Sequence, residues 1–205
     1  SSLINLVPRF YDVTDGEVLV DGVNVKDYTL KALHDKIGYV PQKAVMFTGT
    51  VKSNVCYGNK SVSEEEMKKA IDVAQGTEFV SKMNKTYDAH IARGGTNVSG
   101  GQKQRLAIAR AIAKKPEIYI FDDSFSALDY KTDSVLRSEL KKYTSDATNL
   151  IVAQRIGTIL NADVIVVLDK GKCVGMGTHK ELMENCPVYK EIALSQLSKE
   201  ELNNA

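Results

Sequence analysis

Long hydrophobic runs are scarce in this chain of 205 residues. The longest aliphatic stretch, Val164 to Leu168, is bounded by Asp163 and Asp169. It falls far short of the ~20 residues that a spanning helix requires, so the sequence predicts no membrane crossing by this chain. Cysteine is equally sparse: Cys56, Cys173 and Cys186 are widely spaced, odd in number and form no C-x-x-C pair. That argues against a disulfide framework or a zinc cluster and fits a reducing, cytosolic setting. His34, His90 and His179 show no metal-ligand spacing. An excess of charge is missing too. The formal net charge of +1 gives no global pull toward nucleic acid or anionic lipid, which leaves any phosphate chemistry to local groups. Ser1 to Leu6 lack the basic start of a secretory signal, and Pro8 and Arg9 soon interrupt the apolar stretch, so the beginning reads as a cut. There is no internal repeat, no low-complexity tract and no long coiled-coil heptad pattern.

What is present is ordinary globular material, 43% hydrophobic and 26% charged, enough for one domain or a core with a small subdomain. Leu3 to Phe10 reads as a short apolar helix, and Glu17 to Val25, punctuated by Asp-Gly pairs, as strand, turn, strand. Ile37 to Val40 reads as a strand stopped by Pro41, which places Gln42 at a strand exit. From Ser61 to about Gln75 the pattern is helical, with a Ser63/Glu66 capping box and Met67, Ala70, Ile71 and Ala74 on one face. More helical pattern runs from Thr77 to Met83, making the middle of the chain a mostly helical insertion. In the second half, Ile118 to Phe121, Leu150 to Ala153 and Val164 to Leu168 are short apolar runs alternating with helical segments. That is the pattern of parallel strands covered on both faces.

Two segments carry chemistry. Ser99-Gly100-Gly101-Gln102 precedes a strong helix, Lys103 to Lys115. Free backbone N–H groups at its start, glycines that permit close approach and a serine hydroxyl would together form a phosphate site with no cationic side chain. The same residues also suit a plain helix cap. Asp122 and Asp123 follow four apolar residues and so project from the end of a buried strand, where ligands of open parallel sheets bind. The first can hold Mg²⁺ and the second can orient an attacking water, although Asp also commonly begins helices.

The order of motifs resolves both choices. Gln42 after a strand, Val98-Ser99-Gly100-Gly101-Gln102, the apolar run into Asp122-Asp123, Ser126-Ala127-Leu128-Asp129, and Ile151-Val152-Ala153-Gln154-Arg155 succeed one another in this chain. Over essentially its whole length it resembles the nucleotide-binding domain of ATP-binding-cassette (ABC) transporters. Phe47 to Val55 and Gly16 to Gly22 are similar to the exporter branch, in which such domains follow a membrane-spanning domain on one polypeptide. The resemblance implies an α/β, P-loop NTPase-like three-layer core, a helical signature subdomain over about residues 51–115, and a small antiparallel β portion near residues 16–40. That β portion would be N-terminally incomplete, with an exposed sheet edge. The domain would occupy residues 1–205.

By the same resemblance, ATP and Mg²⁺ are the cofactors. Gln42 senses the metal and the membrane domain, and Ser99, Gly100, Gly101 and Gln102 grip the γ-phosphate of an ATP bound on a partner domain. Asp122 is the metal acid, and Asp129 ends a loop that crosses the dimer interface. Ser1 and Ser2 resemble the residues just after the lysine of a Walker A phosphate loop, with Ser1 as the metal-binding hydroxyl; a frayed terminus is the other reading. The partners implied are a second, non-identical ABC nucleotide-binding domain and membrane-spanning domains, with no nucleic acid. The location implied is the cytoplasmic face of a membrane.

Three positions depart from the pattern. Asp123 stands where the family has a catalytic glutamate, and a misplacement of about 1 Å can cost on the order of a hundredfold. Gln154 stands where the family has a histidine that contacts the γ-phosphate, and an amide cannot become a cation. Arg93 stands where exporters usually have a glutamate. Substitutions at 123 and 154 beside a complete signature resemble the half of a heterodimeric exporter whose own site is degenerate but which completes its partner's site. Two other readings stay open: a regulatory clamp that holds ATP with little hydrolysis, and a soluble ABC ATPase with no role in transport.

Overall fold

The computed structural model describes residues 1–196; the last part of the expected domain, residues 197–205, lies outside the described residues. The chain divides into two compact units, Ser1–Val152 and Ala153–Ala205.

The first unit begins with a single 3-10 turn, Ile4–Leu6, in place of the expected apolar helix from Leu3 to Phe10. Pro8 has no amide hydrogen to continue a helix, and Arg9 adopts a left-handed φ of 56°. A hairpin comes next, β1 (Leu19–Val20) and β2 (Val23–Asn24), paired antiparallel across Asp21-Gly22, both at positive φ. Helix α1 (Leu30–Lys36), capped by Thr29, leads directly into β3 (Ile37–Val40). Beyond it lie β4 (Gly49–Thr50), α2 (Val51–Val55), α3 (Glu64–Val73), α4 (Thr77–Ser81) and β5 (His90–Ile91). β5, inside the stretch expected to be helical, pairs antiparallel with β4, which lies just before that stretch. The capping box expected at Ser63 and Glu66 is present at the start of α3. Helix α5 (Gly100–Lys114), strand β6 (Ile118–Asp122), helix α6 (Tyr130–Tyr143) and strand β7 (Thr148–Val152) complete the unit.

Its central sheet is parallel, in the order β3-β6-β7, with Tyr39 opposite Ile120 and Phe121 opposite Ile151. The period-two alternation of strands sorts side chains between two apolar layers. Val40, Tyr119, Phe121 and Ile151 join the core built with α2, α3, α5 and α6. Ile37, Tyr39, Ile120 and Leu150 join the other, with Leu33 of α1, Val20, Val25, Ile4 and Val7. The result is a three-layer arrangement, as expected. β3 belongs to this parallel sheet, so the antiparallel portion expected over residues 16–40 is confined to β1 and β2. Close approach of α5 and the residues just after it to β3 depends on Gly38, where a Cβ would meet Pro116 Cγ at 2.7 Å and Ala111 of α5 at 3.4 Å.

The second unit contains α7 (Ile156–Ile159), β8 (Ile165–Asp169), β9 (Lys172–Gly177), α8 (His179–Asn185) and α9 (Pro187–Gln196). Here the sequence expectation fails. The apolar run from Val164 to Leu168 is one arm of an antiparallel hairpin, not a parallel strand. Lys170 and Gly171 both take left-handed φ, the geometry of a tight two-residue turn that returns the chain at once. Ile165 and Val167 are buried with Leu182, Cys186, Tyr189 and Ala193, while Val166 and Leu168 are exposed. His179 Nδ1 lies 2.7 Å from the Tyr189 hydroxyl within this core.

Candidate functional site at a strand exit and a helix start

Asp122 is the last residue of β6 and only 5% exposed. A buried carboxylate needs hydrogen bonds to both oxygens, and here each oxygen has its own donor. The Ser1 hydroxyl donates to Oδ1 at 2.7 Å, and the Tyr39 hydroxyl donates to Oδ2 at 3.2 Å. The Tyr39 oxygen also lies 3.0 Å from Asn5 Oδ1. Burial, and then the Asp122 charge, pushes the Tyr39 phenol up to about 12.

Asp123 leaves the strand at φ 49°, a left-handed conformation uncommon for a side chain other than glycine. Its N–H still reaches the Val152 carbonyl at 3.0 Å, which carries the ladder one residue beyond the strand. The backbone then turns its carboxylate to the exit of β3, where Gln42 Nε2 donates to Oδ2 at 3.1 Å. Two further bonds fix this end of the sheet. Fully buried Ser124 donates to the Val40 carbonyl at 2.8 Å, and Gln104 of α5 donates to the Pro41 carbonyl at 3.1 Å. Ser1, Gln42, Asp122 and Asp123 are therefore gathered by hydrogen bonds at one end of the sheet. Ser2 is exposed.

The residues Ser99 to Gln102 form a different structure. Ser99 is the N-cap of α5, which begins at Gly100 rather than at Lys103, so the glycines occupy its first turn. Ser99 Oγ accepts from Gln102 N–H at 3.3 Å, and Gln102 Oε1 accepts from Ser99 N–H at 3.0 Å. This reciprocal box uses two of the four amides that a helix start leaves unpaired; those of Gly100 and Gly101 lie between. A Cβ at Gly100 would meet nothing within 4 Å, and one at Gly101 would touch the Ala127 carbonyl at 3.4 Å and Leu128 Cδ2 at 3.8 Å, both ordinary contacts. Neither glycine is demanded by packing among the described residues.

Asp129 is the N-cap of α6 and accepts from Thr132 N–H at 2.9 Å, a bond that holds its carboxyl below the usual range. Gln154 lies just beyond β7 and belongs to the second unit, where its carbonyl accepts from Gln196 Nε2 at 2.9 Å. Arg93 is exposed, in a loop whose Gly94 and Gly95 take positive φ.

Comparison with known proteins adds the family. The family model described as ABC transporter matches residues 1–126 of this chain. The chain belongs to the ABC transporter family. It is 47% identical over 199 residues to an uncharacterized ABC transporter ATP-binding protein of Mycobacterium tuberculosis, covering 96% of this chain and 34% of that protein. It is 42% identical over 192 residues to a putative multidrug export ATP-binding/permease protein of Staphylococcus aureus, covering 94% of this chain and 33% of that protein. Among solved structures, a bacterial Atm1-family ABC exporter with ATP bound superposes with a TM-score of 0.92 at 34% identity, over 97% of this chain and 35% of that one. The chain thus spans about a third of the length of the relatives it matches, and its fold is that of an ABC exporter's ATP-binding domain, a P-loop NTPase fold with small antiparallel sheets. No helix of the described residues is long and apolar enough to cross a membrane.

Tyr39, Asn5, Ser124 and Gln104 are absent from the set that the sequence suggested. Tyr39 left a faint signal, a phenol one residue before the last of a strand that ends at Val40, just before Pro41. Nothing in the sequence marked Asn5.

Proposed function

We propose that this chain is the ATP-binding domain of an ABC exporter and couples ATP binding and hydrolysis to transmembrane export at the cytoplasmic face of a membrane. Its partners are then membrane-spanning domains and a second, non-identical nucleotide-binding domain. The observation that carries the reading is the meeting at one end of the sheet of Ser1 with Asp122, at 2.7 Å, and of Gln42 with Asp123, at 3.1 Å. A serine hydroxyl, a carboxylate and the amide oxygen that Gln42 has left are hard oxygen donors, the set that suits Mg²⁺. Ser1, Asp122 and Gln42 would hold the ion, which supplies neutralisation of phosphate charge when bound. Asp123 is the acid nearest that set in sequence and the group that would orient a water.

The helical stretch over about residues 51–115, carrying Ser99 to Gln102, would be the subdomain that meets the partner's nucleotide. The free first-turn amides and the absence of any packing demand for Gly100 and Gly101 support a phosphate brought from outside the chain. Gly in a helix is disfavoured by up to about 1 kcal/mol relative to Ala, so its presence in the first turn favours a role outside the chain's own packing. Asp129 and Ser2 would border the nucleotide.

Asp123 and Gln154 are the substituted positions, and they favour a degenerate site on this chain beside a complete signature. The test is ATP turnover by the full-length protein purified alone and together with its partner. Slow turnover alone, raised by Asp123→Glu combined with Gln154→His, is expected. Turnover at rates ordinary for the family in the protein alone would sink the degenerate reading.

A further inference from the structure

The Asp122 carboxylate can rotate about its last side-chain bond, a broad, roughly two-fold torsion, so its being the last residue of β6 does not decide which oxygen faces Ser1. Two hydrogen bonds on different oxygens do decide it. Ser1 holds Oδ1 at 2.7 Å and Tyr39 holds Oδ2 at 3.2 Å. Tyr39 sits opposite Ile120 in the parallel register of β3 and β6, so its long side chain has only to lean two residues along the strand to reach Asp122. The ring is steadied by an edge contact with Phe10, centroids 5.2 Å apart.

We propose that Tyr39 is a positioning residue for Asp122: its hydroxyl ties down Oδ2 so that Oδ1 is presented on the side of Ser1. The inference rests on the reading of Asp122 as a metal-holding acid. A phenol has one proton and here two acceptors, Asp122 Oδ2 and Asn5 Oδ1 at 3.0 Å. The charged oxygen is the stronger acceptor, which assigns the proton to Asp122 and leaves Asn5 as its weaker competitor. Orienting partners of this kind, one bond removed from a metal ligand, typically change metal affinity by about 10- to 100-fold when they are removed.

The test is a Mn²⁺ titration, followed by EPR, of the full-length protein saturated with a non-hydrolysable ATP analogue. Tyr39→Phe, Asn5→Ala and Asp122→Asn are compared with the parent, with analogue affinity in EDTA and melting temperature measured alongside. Tyr39→Phe is expected to weaken Mn²⁺ binding about tenfold and to leave metal-free analogue affinity unchanged, a split that loss of packing would not produce. Unchanged Mn²⁺ binding in Tyr39→Phe, when Asp122→Asn abolishes it, overturns the proposal and leaves the metal reading standing. Unchanged binding in Asp122→Asn removes both. Asn5→Ala decides independently of whether Tyr39→Phe folds: it removes the competing acceptor and leaves the Tyr39 hydroxyl wholly to Asp122, so Mn²⁺ binding should tighten, and unchanged or weaker binding overturns the proposal.

Discussion

The strand exit at Asp122 and Asp123 and the helix start at Ser99 are both rich in polar groups, yet they are built in opposite ways. At the strand exit each polar side chain is held by residues far away in the chain: Ser1 and Asp122, Gln42 and Asp123, and Ser124 with the Val40 carbonyl. At the helix start Ser99 and Gln102 bond each other across one turn, and the glycines between them touch little. The first depends on the whole sheet and is internally satisfied. The second is local, exposed and free to meet something outside. Substitutions at the strand exit should therefore disturb folding and chemistry together, whereas those at the helix start should separate them.

The largest effect should come from Asp123→Glu with Gln154→His. If Asp123 holds a water off line, the pair should raise phosphate release by the full-length protein by roughly ten- to a hundredfold; no change would remove the strand exit as the limiting group. A sharper contrast comes from one chemical change made in both places. Ser124→Ala strips the donor from the Val40 carbonyl in a buried setting and should destabilise the protein by about 1–3 kcal/mol in urea unfolding. Ser99→Ala, at an exposed cap, should lose about 1 kcal/mol. Equal losses would break the distinction between the two sites.

Gly100→Ala should move two readouts in opposite directions. Stability should hold or rise by up to about 1 kcal/mol, because Ala suits a helix better and the new Cβ meets open space. ATP-dependent pairing with the second domain, read by size-exclusion chromatography, should fall. If both held, the glycine would have no role outside the chain.

The smallest effect concerns the cap at Asp129. Its carboxyl is held below the ordinary range by the Thr132 amide, so the stabilisation is fully present above the ordinary Asp value of about 3.9 and fades as pH falls through the lower folded value. Asp129→Asn should flatten that acid arm of a melting-temperature profile slightly. An unaltered arm would mean that the cap does not form in solution.

Elements with short-range causes were legible in the sequence. The capping box at Ser63/Glu66, the strand ending before Pro41 and the buried run into Asp122 all arise from residues within a turn or a strand of one another. Reading failed where a continuous apolar run concealed its partner. Val164 to Leu168 looked like a strand covered on both faces, but its hairpin with β9 leaves Val166 and Leu168 exposed. The helix expected from Leu3 to Phe10 shrank to one turn for a different reason, since Pro8 has no amide donor and Arg9 turns to a left-handed φ.

The sequence by itself determined the family, the order of the motifs and the local capping, because those rest on residue type at fixed short spacings. Only the tertiary structure decided which oxygen of Asp122 faces Ser1, that Gln42 takes Asp123, and that Tyr39 and Asn5 belong to the site. Those contacts join residues brought together by the parallel register of β3, β6 and β7 and by the segment packed on that sheet. Register is a property of paired strands, and no single stretch of the chain contains it.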